Sequence, residues 1–155
     1  MERMRVKAAI LSDFGGPEVL TYGDLATPAP GPGEVLIRIL AAGLNRLDHY
    51  LREGSVTREI PLPHVLGSDA VGMVEALGPG VDDVHEGDRV IAMPGYPLAE
   101  AEAAFHPLSA APSYVIRGIA EWGAYAQRLG VPVLTRAGQP SWVHDLLRRL
   151  LCQGR

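Results

Sequence analysis

Apolar residues in this chain come in short runs cut by glycine and proline. Val6 to Leu11 is one such run after a charged start, and it predicts a strand. Leu20 to Leu25 predicts a second, edge-type strand. Three prolines within Thr27–Glu34 remove backbone donors and restrict φ, so that stretch reads as a turn. Val35 to Ala42, rich in β-formers, predicts a mostly buried strand. Met73–Leu77 and Arg89–Met93 read as two more strands. Gly87-Asp88 before the latter predicts a tight turn, with glycine first in a two-residue type II′ connection. Beyond Pro94 the pattern weakens. Glu100–Phe105 reads as a helical turn or two, and Tyr114–Ile116 and Ala124–Ala126 as brief strands.

Helical spacing occurs in two places. Leu47, Tyr50 and Leu51 recur at helical intervals between Asn45, a suitable N-cap, and Gly54, a suitable C-terminal stop. Asp48, three residues after Asn45, fits the acidic member of a capping box. Near the end, Ser141 is placed to cap a helix over Trp142–Cys152. Its apolar stripe, including Trp142, Leu146 and Leu150, requires a partner surface.

With 155 residues the chain suits one compact domain with a short appendage. Its 47% hydrophobic and 21% charged content is ordinary for a globular protein. A net charge of −4 gives no reason to expect nucleic acid as a partner. No apolar run reaches spanning length and the start lacks a signal-peptide pattern, so no membrane association and a cytoplasmic location are expected. The single cysteine, Cys152, excludes an internal disulfide and a multi-cysteine zinc cluster.

Four stretches, in order and at compatible spacing, resemble one family. The turn Pro28–Val35, the segment Ala42-Gly43-Leu44-Asn45 with Asp48 and Tyr50, and Gly67–Gly72 are three of them. The fourth is Leu77–Val81 followed by Gly87-Asp88-Arg89-Val90. Together they resemble the medium-chain dehydrogenases/reductases, in their quinone-oxidoreductase branch. The resemblance implies a mainly β, GroES-like, partly open barrel with a few short helices. In that family the barrel walls the substrate cleft, and NADPH or NADH sits mainly on a Rossmann domain. No Gly-x-Gly-x-x-Gly occurs in the chain. The expectation is therefore the substrate-side domain of an NAD(P)H-dependent quinone, enone or carbonyl reductase, inactive alone, which does not bind the cofactor tightly without its other half.

Zinc members of the family have cysteine where this chain has Asn45 and a His-Glu pair where it has Ser68-Asp69. Amide and hydroxyl are poor zinc ligands, so no zinc is expected. The long Gly95–Trp122 lobe, unusual for a zinc-free reductase, leaves open descent from a zinc enzyme. By resemblance Asn45 lies beside the nicotinamide, where its amide bonds ribose or carbonyl oxygens; as a residue it is equally a helix cap. Tyr50 resembles the cleft tyrosine, against a reading as a half-buried helix residue. Asp48 has a cofactor-side reading, orienting Asn45 or a water, and a structural one, since the helix dipole favours acid there. Ser68 and Asp69 read as turn formers, with Arg52 a candidate partner for Asp69. Arg52 also has a reading toward cofactor phosphate, and His64 one as a cleft proton donor.

The family pattern breaks after Gln127, which divides the chain into a GroES-like domain, 1–127, and a divergent tail, 128–155. Two origins of the tail stay open: an evolved segment whose helix pairs two chains or covers the barrel, or the product of a shifted reading frame. A non-catalytic binding or oligomerisation module, or a truncated remnant, is the alternative to an oxidoreductase domain.

Overall fold

The computed structural model describes residues 5–133. Strand β1 (Arg5–Leu11) and strand β2 (Leu20–Ala26) form an antiparallel pair, from Arg5↔Ala26 to Leu11↔Leu20. Val6, Ala8 and Leu11 of β1 are buried, while β2 is largely exposed, as an edge strand is.

The main sheet has the order β5-β4-β3-β8, antiparallel throughout. Its members are β3 (Glu34–Ala42), β4 (Ala70–Leu77), β5 (Arg89–Ala92) and β8 (Arg128–Pro132). Two register shifts in β3, at Leu36/Ile37 and Ile39/Ala41, mark bulges that let this strand bend. Val35, Ile37, Ala70, Val74, Ala92, Ala124, Leu129 and Val131 make the sheet's core.

The two sheets meet through the segment Ala124–Gln127. Ala9 N–H donates to Tyr125 O at 2.8 Å, Gln127 N–H to Lys7 O at 2.9 Å, and Ile39 N–H to Gln127 O at 2.9 Å. The brief strand expected at Ala124–Ala126 is thus a single bridge, Ala8↔Ala126, because its backbone groups are shared between two sheets. The result is the mainly β, partly open barrel expected, with one α-helix and three short 3-10 segments among the described residues.

Several boundaries differ from the sequence reading. β4 starts at Ala70 rather than Met73, because Ala70, Gly72 and Val74 alternate inward. A strand absent from that reading, β6 (Gly95–Pro97), pairs with β7 (Tyr114–Ile116), while the helical turns expected from Glu100 appear as a 3-10 segment, Glu100–Ala104. Asp88 N–H donates to His85 O at 3.1 Å, which makes Gly87, at φ 89°, the second central residue of its turn. That is type II geometry, not the II′ connection expected. β8 carries the sheet past Gln127. Leu129 and Val131 face the core there, and Gly130 and Pro132 hide the alternation from a reading of propensities. The helix expected at Trp142–Cys152 lies outside the described residues.

Helix α1 (Arg46–Glu53) packs on a second core of Leu11, Leu51, Ile60 and Leu66, with Phe14, Leu47 and Tyr125 against it. Burying a leucine such as Leu51 contributes roughly 1.5–3 kcal/mol. Gly54 ends the helix in the left-handed region at φ 73°, and Ser55 N–H returns to Tyr50 O at 3.0 Å. The β6–β7 lobe is bolted to the barrel by Arg117, only 1% exposed. Its guanidinium donates to Glu121 at 2.7 Å and to Gly130 O at 3.2 Å, and lies 5.1 Å from the centre of the Tyr96 ring.

Candidate functional site

Several polar side chains meet at the mouth of α1. Asn45 and Asp48 form the expected capping box, in which Asn45 N–H donates to Asp48 Oδ2 at 2.8 Å. Asp48 does more than cap. Its Oδ1 accepts Gly67 N–H at 3.1 Å and its Oδ2 accepts the Tyr125 hydroxyl at 2.7 Å. A buried carboxylate with three donors ties together the helix entry, the glycine-framed turn before β4 and the segment joining the two sheets. Burial, then the hydrogen bond and charge of Asp48, push the Tyr125 hydroxyl pKa well above the usual tyrosine value.

Gly67 makes this junction possible. Its φ is 99°, and a Cβ there would lie 2.8 Å from the Tyr125 ring.

The Asn45 side chain also reaches the turn before β4. Its Nδ2 donates to Asp69 Oδ2 at 2.5 Å and to Ser68 Oγ at 3.3 Å. Gly43 N–H donates to Asp69 O at 3.0 Å, which holds the end of β3 against the start of β4. Asp69 is therefore partnered by Asn45, not by Arg52. The Arg52 guanidinium, 8% exposed, donates to Gly15 O and faces His49 Nδ1 at 3.0 Å, which ties the β1–β2 loop to α1. So buried and so engaged, it is not presented to a phosphate.

Tyr50 stands apart from this cluster. It is 41% exposed, with its ring centre 5.5 Å from that of His49. Leu44, beside Asn45, is 87% exposed. His64, weighed as a proton donor, is 2% exposed in the core, bridged through its backbone to Leu11, with Nε2 3.1 Å from Gly118 O. Burial lowers its pKa, against the opposing hydrogen bond to Gly118. It has no access to a cleft.

The structure thus unites Asn45 and Asp48, leaves Tyr50 outside their hydrogen-bonded cluster, and adds Ser68, Asp69 and Tyr125. Tyr125 was legible only as a strand residue. The one available signal was the demand a buried Asp48 makes for donors. A cavity of about 170 Å³ lies elsewhere, between residues including Val6, Leu25, Pro28, Trp122 and Leu129, and none of Asn45, Asp48 or Tyr50 lines it.

Residues 31–137 match the family described as "Alcohol dehydrogenase GroES-like domain". Over 86 residues the chain is 42% identical to the quinone oxidoreductase of Rattus norvegicus, covering 55% of this chain and 26% of that protein. It therefore spans about a quarter of the length of the curated relatives it matches. A solved NAD-dependent alcohol dehydrogenase superposes with a TM-score of 0.76 at 42% identity, covering 81% of this chain and 37% of that one. A thermostable alcohol dehydrogenase from Pyrobaculum aerophilum gives 0.72 at 36%, covering 86% and 42%. The chain belongs to the alcohol dehydrogenase GroES-like domain family, within the medium-chain dehydrogenases/reductases.

Proposed function

We propose that this chain is the substrate-side wall of an NAD(P)H-dependent, zinc-free oxidoreductase that reduces a quinone, an enone or a related carbonyl compound. By itself it does not turn over. The observation that carries this reading is the contact of Asn45 with Asp69 and Ser68 at the mouth of α1. Quinone oxidoreductases among the relatives support the substrate class.

Zinc does not fit this corner. The ion needs thiolate, imidazole or carboxylate ligands. Here the side chains are an amide and a hydroxyl, and both nearby carboxylates are engaged: Asp69 is turned onto Asn45 at 2.5 Å, and Asp48 holds three donors.

A nicotinamide end fits better, since Asn45 is exposed and offers polar atoms for ribose or carboxamide. When bound, the nicotinamide supplies a hydride. In this reading Tyr50 donates its hydroxyl hydrogen toward the substrate oxygen, and Asn45 orients the cofactor. Asp48 serves the cofactor side by holding the Asn45 backbone, Gly67 and Tyr125 in register. Phosphate binding falls to residues outside this chain, which has no glycine-rich dinucleotide loop. Residence in the cytoplasm is in line with a single cysteine, which allows no internal disulfide. Among the described residues no helix is long and apolar enough to cross a membrane.

The test combines three measurements on the purified chain. Elemental analysis should find far less than one zinc per chain, and NADPH with duroquinone should give no turnover above the blank. Backbone NMR shifts caused by duroquinone should cluster at residues 43–50 and 67–69. Stoichiometric zinc, or shifts confined to the Trp122 cavity, would sink the reading.

A further inference from the structure

We infer that Asp69 is a positioning residue: it locks the Asn45 side chain with its NH2 turned inward, so that Asn45 meets a ligand only as a hydrogen-bond acceptor. The identity of that ligand rests on the function proposed above; the lock itself does not.

A primary amide has two N–H donors and one carbonyl acceptor, and an ionised carboxylate accepts only. With Asp69 Oδ2 at 2.5 Å, the atom facing it must therefore be Nδ2, because a carbonyl oxygen there would repel it. Ser68 Oγ at 3.3 Å receives the second N–H, and Ser68 is buried, so that acceptor is not free to swing away. Both donors of Asn45 are spent. What the side chain has left to offer is one lone pair of Oδ1, whose other lone pair faces the Asp48 backbone N–H in the capping box.

The lock is built into the fold at both ends. Asp48 Oδ2 holds the Asn45 main chain at 2.8 Å, while Asp69 holds its side chain. Asp69 is seated by the β3–β4 register, Ala42↔Ala70, and by Gly43 N–H on its carbonyl. A Cβ at position 43 would come within 3.2 Å of Asp69 Cβ, so glycine at 43 gives the acid room to stand there.

The chemical consequence is selectivity. A side chain with only an acceptor to give cannot polarise a ligand carbonyl; it selects a hydroxyl or N–H donor, such as the ribose hydroxyls or carboxamide of a nicotinamide ribotide. A ligand group that presents only an acceptor leaves Oδ1 facing a lone pair, and binding weakens. Donation to a substrate oxygen is then left to Tyr50.

Asn45 is the only asparagine in the chain, so asparagine labelled with 13C and 15N reports on this side chain alone. In the ligand-free 155-residue chain one NH2 proton should exchange with solvent about tenfold more slowly than in a free asparagine amide. Asp69→Ala should abolish that protection, and Ser68→Ala should reduce it. Rapid exchange in the unsubstituted chain, or protection undiminished in folded Asp69→Ala, overturns the lock. Nicotinamide mononucleotide is then added as the probe. The expected result is a downfield shift of the Asn45 Cγ with the NH2 protection retained. Loss of protection with Cγ unmoved would mean that the amide turns to donate, and would overturn the acceptor role. If the lock holds but the nucleotide, titrated far above the range of tight binding because the phosphate-binding residues lie outside this chain, moves neither signal, the lock stands and the nicotinamide reading falls.

Discussion

The Tyr125 hydroxyl donates a 2.7 Å hydrogen bond to Asp48, 77 positions earlier in the chain. This one bond joins the helix capped by Asn45 to the segment that links the two sheets. It makes the geometry at the mouth of α1 a property of the whole fold, not of a local helix cap.

Removing either partner should therefore be costly, and unequally so. Tyr125→Phe removes one donor from a charged acceptor and is expected to lose about 1.5–3 kcal/mol. Asp48→Ala strands three donors at once and should cost more. Urea unfolding of both single variants and the double variant checks this. The double loss should be clearly less than the sum, because Tyr125→Phe has little left to remove once Asp48 is gone.

Glycine is required at position 67 for two reasons, and at position 33 for one. Gly67→Ala combines a φ of 99° with a Cβ 2.8 Å from the Tyr125 ring, and the expected loss is about 2–5 kcal/mol. Gly33→Ala meets nothing within 4 Å at φ 72°, so only the backbone conformation opposes it, by roughly 1–2 kcal/mol. Thermal melts of the pair should rank them in that order; equal losses would show that the contact with Tyr125 carries no weight.

Protonation of His64 should destabilise the fold. Burial depresses its pKa below the usual histidine value of about 6.5, with the Gly118 hydrogen bond opposing. Because the folded pKa lies below the unfolded one, the contribution of neutral His64 is complete above about pH 6.5. It is lost as the pH falls through that value toward the folded pKa. Urea midpoints at pH 7.5 and 5.5 should fall for the natural chain and fall less for His64→Gln. Identical pH dependence in both would assign the effect to other groups.

Arg117 should tolerate no replacement, lysine included. It is buried, and it spans Glu121, the Gly130 carbonyl and the Tyr96 ring with one planar group. Lysine cannot reproduce that fork and stack. Arg117→Ala is expected to cost about 3–5 kcal/mol by denaturant unfolding, with Arg117→Lys recovering little of it. Glu121→Gln should cost less, since glutamine keeps an oxygen acceptor and Arg117 keeps Gly130.

Much of this molecule was written locally. The apolar runs of β1, β2 and β3 stood out because each is bounded by glycine or proline, and α1 because Asn45, Asp48 and Gly54 mark both its ends. Of the motifs that resemble medium-chain dehydrogenases/reductases, two lie at the ends of β3 and in α1 and two around β4 and the turn into β5, and with them came the partly open barrel. β6 and β8 escaped notice, since three residues around a proline, or five with glycine and proline among them, carry too little periodicity to stand out.

The sequence by itself determined the elements and the residue types at the helix entry, because caps, turns and alternation act over a few neighbours. Only the tertiary structure decided what those residues face: Asp69 on Asn45, Tyr125 on Asp48, His64 sealed in the core. Such pairings depend on strand register and on which sheets share a segment, and neither is encoded within the span of a single helix or turn.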